Sequence, residues 1–416
     1  FPAGFTGRGR SKPGESGPAR DRALEELCDR VGGSLVTRAG ASVLEVRSRV
    51  PAGALHGEVR LADLFGFDPS LQRVLFPRAA QVLPQDLLFF DLETTGLSGG
   101  AGTHAFLAGF LRSAPSGVFE LVQYFLPGFA SERLFLELID RLIGSAGALV
   151  SYNGRCFDTG IVRNRYVMCG MAGLAQGGGA LSRLEKTAQF DLLYPCRRIW
   201  KGVLPDHTLG TVEREVLGVS RTRDVPGWMV PQVYTDFLAG RGSRERLADV
   251  FEHNRDDVLS LLALLVRQLG VVSGAAPANR CNPVQLSRML VSSRRGDQAR
   301  RILSAHRHTN EALRHLGLLH RRERDFTRAL GCFRELAERA CGISEYLFAC
   351  TEAAKICEHR LGDLAGALDW TSRMRRRIQR AGVFGKAPAD RDRDRVEHRF
   401  RRLSAKLERK AWREGA

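Results

Sequence analysis

The chain has 416 residues, of which 44% are hydrophobic and 26% are charged. This length predicts two or three domains with a substantial core, and the composition excludes a wholly disordered chain or a disulfide-stapled miniprotein. The longest apolar run, residues 258–266, is interrupted by Ser260. It is far shorter than the roughly 20 residues that cross a bilayer, so we expect no membrane segment.

Cysteine usage and charge indicate the compartment and the class of partner. Nine cysteines form no CxxC pair, which predicts reduced thiols in a cytoplasmic protein. The first residues lack the apolar segment of a secretion signal, which also favours the cytoplasm. The net charge is +17, and residues 281–416 hold 31 Lys and Arg against 17 Asp and Glu. Such a basic half is typical of nucleic-acid binding, although a solvated basic face has the same composition.

The amino-terminal sequence divides into an arm and a small extension. Residues 1–22 are rich in Gly, Pro, Ser and Arg, which predicts a disordered basic arm. Residues 23–84 form an N-terminal extension that begins with an apolar helical stripe over residues 24–31. Alternation over residues 43–50 predicts a strand, and an Asp-Pro start predicts a second short helix over residues 68–75.

The next section has the pattern of one layered domain. A continuous apolar run at residues 87–90 is typical of a strand covered on both faces, and further strand and helix patterns follow it. Their order predicts an α/β (α+β) domain over residues 85–270, with a mixed sheet and flanking helices. The predicted strands are residues 87–90, 105–111, 119–125, 148–152 and 189–193, and the predicted helices are residues 131–143, 157–166 and 252–269, the last ending at Gly270.

The remainder of the chain is predicted to be helical. A stretch rich in Gly, Ala, Pro and Asn predicts a linker over residues 271–284, and residues 285–416 lack strand alternation. A weak repeat places Asp325 with Ala329 and, 38 residues later, Asp363 with Ala367. This spacing resembles tetratricopeptide-type helix pairs, with an ordinary helical bundle as the alternative. We expect this basic domain to contact nucleic acid or a protein partner.

Four carboxylates fall at positions from which they can converge. Asp91 and Glu93 are two residues apart at the end of a predicted strand, so their side chains point to the same side of the sheet. Asp158 begins a predicted helix, and Asp257 is four residues from His253 on the face of another. Carboxylates gathered in one pocket repel each other unless cations neutralise them. Oxygen donors without cysteine favour Mg²⁺ or Mn²⁺, and two such cations can promote phosphodiester cleavage.

Three segments around these carboxylates resemble the motifs of a known family. They are FFDLETTG (residues 89–96), NGRCFD (residues 153–158) and HNRDD (residues 253–257). In this order they resemble the motifs of the DEDD (DnaQ-like) 3′-5′ exonuclease superfamily on an RNase H-like fold, and more closely the bacterial YprB-type ribonuclease H-like proteins. The resemblance covers about residues 85–270, and that family has helical repeats after the nuclease domain. Supporting stretches are residues 97–103, 191–200, 213–218 and 224–227.

The resemblance implies a hydrolase, a 3′-5′ nuclease acting on DNA or RNA with two divalent cations, Mg²⁺ or Mn²⁺. It implies that Asp91 bridges the two cations and that Glu93 and Asp257 bind one of them. Asp158 would serve the other cation, directly or through water. His253 would orient or deprotonate the attacking water, for which a near-neutral pKa is suitable.

Other residues are expected to contact the nucleic acid or to support the site. Asp191 is expected to brace the sheet, and His104 is expected to form a structural hydrogen bond. Trp200 could offer a stacking face or belong to the core. The predicted nucleic-acid-binding residues are Thr94, Thr95, Gly96, Asn153, Arg197 and Arg198.

One spacing departs from the family pattern. The histidine subgroup places its aspartate five residues after the histidine and the tyrosine subgroup uses four, whereas this chain has a histidine with a spacing of four. The general-base role of His253 therefore stays open, and Asp256 is an alternative to Asp257. A catalytically inactive adaptor that binds nucleic acid or protein, and a structure-selective endonuclease, are alternative functions. Scattered carboxylates, or a salt-bridged arginine that fills their corner, would overturn the prediction of an enzyme.

Overall fold

A computed structural model of the chain describes residues 18–96, 102–114, 117–172, 179–221, 225–276, 280–383 and 390–414. The chain divides into two compact units, residues 1–280 and residues 281–416. Most of the predicted arm lies outside the described residues, and a helix begins at Pro18, before the predicted end of the arm. Residues 97–101 and Asp224, from the supporting stretches, also lie outside the described residues.

A mixed sheet forms the centre of the first unit. Its strands are β1 (Ser34–Arg38), β2 (Ala41–Pro51), β5 (Leu87–Thr94), β6 (Ala105–Ala114), β7 (Val118–Phe125), β8 (Ala148–Ser151) and β9 (Ala188–Asp191), and β3 (Leu55–His56) pairs with β4 (Val59–Arg60) in a separate hairpin. The seven strands have the order β1-β2-β7-β6-β5-β8-β9. β5 is antiparallel to β6 and parallel to β8, which is in turn parallel to β9.

This topology confirms the predicted α/β class with a mixed sheet and flanking helices. The three successive strands β5, β6 and β7 are antiparallel neighbours, and the two parallel strands follow through helical connections. The extension adds β2 to the free edge of β7 and β1 to β2. β1 was not predicted, because most of its side chains are exposed and it therefore lacks an alternating apolar pattern.

The helices of the first unit are mostly short. They are α1 (Pro18–Val31), α2 (Gln72–Leu75), α3 (Glu132–Gly144), α4 (Asp158–Met168), α5 (Ala180–Lys186), α6 (Leu193–Ile199), α7 (Leu209–Val212), α8 (Val230–Leu238) and α9 (Arg244–Ser273). Single 3-10 turns occur at Leu61–Gly66, Pro69–Leu71, Pro84–Asp86 and Phe129–Ser131, and a π-helical turn occurs at Glu213–Leu217.

Helix α9 is 30 residues long and contacts β5 and β6, so it carries its side chains to the middle of the sheet. It begins where the Ser243 hydroxyl accepts a hydrogen bond from the amide of Arg246, well before the predicted start. The predicted end at Gly270 is wrong. Gly270 is buried within the helix, and the left-handed residue that ends it is Gly274, with φ of +89°.

The second unit is a series of helices, α10 (Pro283–Ser292), α11 (Gly296–Ala305), α12 (Asn310–Arg322), α13 (Phe326–Arg339), α14 (Ile343–Ile356), α15 (Leu364–Val383) and α16 (Asp390–Glu414), with a π-helical turn at Cys357–Leu361. Each helix contacts the next one along the chain. Asp325 and Asp363 each accept a hydrogen bond from the amide three residues later, and Ala329 and Ala367 are fully buried. The tetratricopeptide assignment stays a prediction.

None of the helices in the described parts of the chain is long and apolar enough to cross a membrane.

Candidate metal centre

Three elements bring the predicted carboxylates to one end of β5. The first half of β5 is buried, whereas Asp91 and Glu93 are partly exposed and Leu92 between them is buried, as the alternation of a strand requires. Asp158 is the first residue of α4, which follows β8, the parallel neighbour of β5. The carboxyl ends of parallel neighbours meet at one edge of a sheet, so the strand pairing itself places Asp158 near Asp91.

Helix α9 supplies the remaining predicted residues. One ligand atom from each of Glu93, His253 and Asp257 can be chosen so that all three atoms lie within 4.8 Å of one another. His253 Nε2 lies 3.5 Å from Asp257 Oδ2, as expected for side chains four residues apart on one face. Asp256 instead accepts hydrogen bonds from the neighbouring Arg255, at 3.2 and 3.3 Å. The structure therefore brings Asp257, rather than Asp256, to Glu93.

Electrostatics link the other two carboxylates to this group. Burial raises the pKa of Asp91 well above its ordinary value, and the charges of Asp257, Glu93 and Asp158 raise it further. Burial and then the charge of Glu93 raise the pKa of Asp158 to about 8. All four predicted carboxylates are therefore close enough to repel one another. These four carboxylates are hard oxygen donors, which fits Mg²⁺ or Mn²⁺.

The loop before α4 leaves room for Asp158. A Cβ atom on Gly154 would lie 2.7 Å from Asp158 Oδ2 and 2.5 Å from Ser151 Oγ, so only glycine fits without displacing them. Asn153 has φ of +62°, and its amide donates to Asp191 Oδ1 at 2.9 Å. Asp191 also accepts from the Leu193 amide at 3.1 Å, so it braces this loop against the sheet. Asp191 is thus a structural support for the site.

An arginine that the sequence did not point to lies in the same site. Arg221 forms ion pairs with both Asp257 and Glu213, and its side chain is 10% exposed. Its Nη1 also lies 2.9 Å from His253 Nδ1. A guanidinium group only donates, so Nδ1 accepts and the ring proton is on Nε2, which faces Asp257. Glu213 belongs to the supporting stretch at residues 213–218, but none of the motifs or supporting stretches includes Arg221 itself.

This arginine is the arrangement that was expected to argue against catalysis. The four carboxylates are not scattered, but the one on α9 is salt-bridged to Arg221. A cation at Asp257 would therefore compete with the guanidinium group of Arg221, which supplies a positive charge there.

The residues predicted to bind nucleic acid differ in how exposed they are. Thr94 is buried, and its hydroxyl donates to the Gly96 carbonyl at 2.9 Å, while the Thr95 hydroxyl accepts from the amide of His104 at 3.0 Å. Arg197 is exposed and Arg198 half-buried in the last turn of α6. Trp200 is 3% exposed, so it belongs to the core and offers no stacking face.

The fold and the carboxylates at the end of β5 define an RNase H-like domain. A model of the RNase H superfamily matches residues 88–268, so this part of the chain is a domain of that superfamily, which supports a nuclease-type function. The chain is also 31% identical over 294 residues to the uncharacterized protein YprB of Bacillus subtilis (strain 168). That match covers 68% of this chain and 67% of the relative.

Proposed function

We propose that the chain is a metal-dependent nuclease that removes nucleotides from the 3′ end of DNA or RNA. The observation that carries this proposal is the group of Glu93, His253 and Asp257 ligand atoms within 4.8 Å of one another. The raised pKa values of Asp91 and Asp158 support it, because they arise in part from the same cluster of charges. Two divalent cations, Mg²⁺ or Mn²⁺, are the proposed cofactors.

The proposed roles of the carboxylates are those that the family resemblance implies. Asp91 is in the middle of the sheet and interacts electrostatically with the other three, so it is proposed to bind both cations. Glu93 and Asp257 are proposed to bind one cation with it, and Asp158 the other. When bound, the cations would activate a water and stabilise the leaving oxygen of a phosphodiester.

His253 is proposed to orient the attacking water. With Arg221 in contact with Nδ1, the proton is on Nε2, and an N–H group donates to a water but cannot accept a proton from it. Deprotonation of water by His253 would therefore require Arg221 to leave Nδ1. This site differs in two ways from one in which a histidine acts as a simple general base. Four residues separate His253 from Asp257, and Arg221 contacts His253.

The nucleic acid is proposed to contact residues next to the carboxylates and the basic helical unit. The backbone of Thr94, Thr95 and Gly96 and the side chains of Asn153, Arg197 and Arg198 are the proposed contacts near the site. We also propose that residues 23–84 are an extension of the nuclease domain over residues 85–270. A linker at residues 271–284 would join it to a helical domain at residues 285–416 that holds nucleic acid or a protein partner.

A catalytically inactive adaptor is the second candidate, and the ion pair between Arg221 and Asp257 favours it. An adaptor would bind nucleic acid through its basic surface and leave the guanidinium in place. It would need no divalent cation.

Cleavage of labelled substrates separates these functions. The full chain is incubated with 3′- and 5′-end-labelled single- and double-stranded DNA and RNA, in Mn²⁺, Mg²⁺ or EDTA, beside Asp91→Asn. Stepwise loss from the 3′ end that requires a metal and Asp91 supports the exonuclease. Internal cuts would indicate an endonuclease, and salt-sensitive binding without products would indicate the adaptor.

A further inference from the structure

Three residues on adjacent strands form a row under helix α9. Asp91 on β5 pairs in register with Gly109 on β6, and Gly109 pairs in register with Gln123 on β7. Asn254 of α9 enters the space above the glycine. A Cβ atom at position 109 would lie 2.2 Å from Asn254 Oδ1, so the absence of a side chain there lets the asparagine reach the sheet.

Asn254 links the two ends of this row by hydrogen bonds. Its Nδ2 donates to Asp91 Oδ2 at 3.0 Å and to the Asp91 carbonyl at 3.3 Å. Its Oδ1 accepts from Gln123 Nε2 at 2.9 Å, and that same nitrogen donates to the carbonyl of Phe251 at 2.8 Å. Asn254 is fully buried and Gln123 is 3% exposed, so water does not compete for these groups.

The direction of this chain of hydrogen bonds is fixed at one end. The Phe251 carbonyl can only accept, so Gln123 must present its NH₂ group on this side. Asn254 must then turn its oxygen to Gln123 and its NH₂ group to Asp91. A backbone carbonyl on α9 thus determines, through two amides, that Asp91 receives a donor.

We infer that Asn254 is a positioning residue that sets the orientation of the Asp91 carboxylate for cation binding, and that Gln123 sets the orientation of Asn254. This inference rests on the proposed function, because it assigns a purpose to the row only if Asp91 binds metal. Oδ2 of Asp91 is held by Asn254, and Oδ1 is the oxygen left for the cations. Buried partners of this kind, which orient a ligand without touching the metal, contribute strongly to metal affinity.

Gln123→Glu tests the donor-to-acceptor direction of these hydrogen bonds without removing a side chain. A carboxyl group has at most one donor, so it cannot satisfy both the Phe251 carbonyl and Asn254 Oδ1. Asn254 would have to turn its NH₂ group to the new carboxyl and its oxygen to Asp91. This substitution is two strands away from the carboxylates, and it keeps the shape of the core.

The measurement is Mn²⁺ binding to the full chain by titration calorimetry, with thermal unfolding in EDTA recorded for every variant. Asp91→Asn defines the background. Gln268→Glu is the matched control. Gln268 lies on α9, the helix that carries Asn254, is fully buried, and donates to the backbone carbonyl of Leu192 at 3.0 Å. We expect Mn²⁺ affinity to fall roughly 10- to 100-fold in Gln123→Glu. Gln268→Glu should lower the melting temperature by a similar amount and keep its Mn²⁺ affinity.

Two further variants keep the test decisive if Gln123→Glu does not fold. Asn254→Ala removes the group that donates to Asp91. Gly109→Ala places a Cβ atom on β6 where it displaces the Asn254 side chain. Both variants should therefore show the same loss of Mn²⁺ affinity. Equal loss in the single variants and in their combination would support one shared pathway. Unchanged Mn²⁺ affinity in the folded variants would overturn the inference and leave the proposed function standing. A wild-type chain that binds no Mn²⁺ would overturn both.

Discussion

Replacing Arg221 with glutamine tests whether this arginine and a divalent cation compete for Asp257. Arg221 is held between Asp257 and Glu213, and the side chains of these three residues are 14% exposed or less. Burial opposes its charge, but Asp257 and Glu213 raise the pKa of Arg221 above its ordinary value, so it stays charged. Glutamine keeps a polar side chain at this position and removes the positive charge.

Two opposite effects are expected from this substitution. Without metal, Glu213 and Asp257 lose their counterion, and breaking a buried pair lowers the free energy of unfolding by about 3–5 kcal/mol. With metal, the cation no longer displaces a charge-assisted hydrogen bond from Asp257, which is worth about 1.5–3 kcal/mol. Since 1.4 kcal/mol corresponds to a factor of ten, Mn²⁺ should bind about tenfold more tightly, or more.

Chemical unfolding in EDTA and calorimetric titration with Mn²⁺ measure the two effects separately. Arg214→Gln is the matched control, because Arg214 pairs with Glu215 at 3.0 Å on the surface and should change neither quantity appreciably. Weaker Mn²⁺ binding in a folded Arg221→Gln variant would refute competition. It would show instead that Arg221 orients Asp257 for the cation.

Three other outcomes follow from the site and the helical unit. The pKa of Asp158 is raised to about 8, from an unfolded value near 3.9, so the folded state holds the extra proton between these values. The metal-free chain should therefore lose up to about 1.4 kcal/mol of unfolding free energy per pH unit from about pH 5 to 8. Urea unfolding should show a smaller slope in Asp158→Asn, and equal slopes would contradict the assignment. Gly154→Ala should displace Asp158 and weaken Mn²⁺ binding about tenfold in calorimetry. Gly160→Ala is the control, because a Cβ atom there meets nothing within 4 Å, and its Mn²⁺ affinity should not change. Equal Mn²⁺ affinity in the two variants would contradict the role of the loop before α4. Arg376→Gln with Arg380→Gln, both exposed on α15, should reduce the salt slope of single-strand binding by about 1.4 in a fluorescence titration, and an unchanged slope would exclude contact there.

The sequence predicted those parts of the site that depend on local geometry. Asp91 and Glu93 share one side because strand side chains alternate, and His253 and Asp257 share a helix face because they are four residues apart. The succession of strands along the chain after β5 was predicted from apolar patterns. The choice between Asp256 and Asp257 needed the structure, since both lie near that face.

Contacts between distant segments could not be predicted in this way. Arg221 reaches Asp257 from a different part of the chain, and no periodicity relates the two positions. The row of Asp91, Gly109 and Gln123 depends on strand register, which the apolar patterns of this sequence did not reveal. The burial of Trp200 could not be predicted either, because it depends on which segments pack over α6.

Anomalous diffraction from crystals of the full chain grown with Mn²⁺ tests the central claim most directly. The account predicts two anomalous peaks at the end of β5, one beside Glu93 and Asp257 and one beside Asp158, with Asp91 contacting both. It also predicts that Arg221 leaves Asp257 and keeps Glu213. No peak at saturating Mn²⁺, with Arg221 still paired to Asp257, would contradict a metal-dependent nuclease.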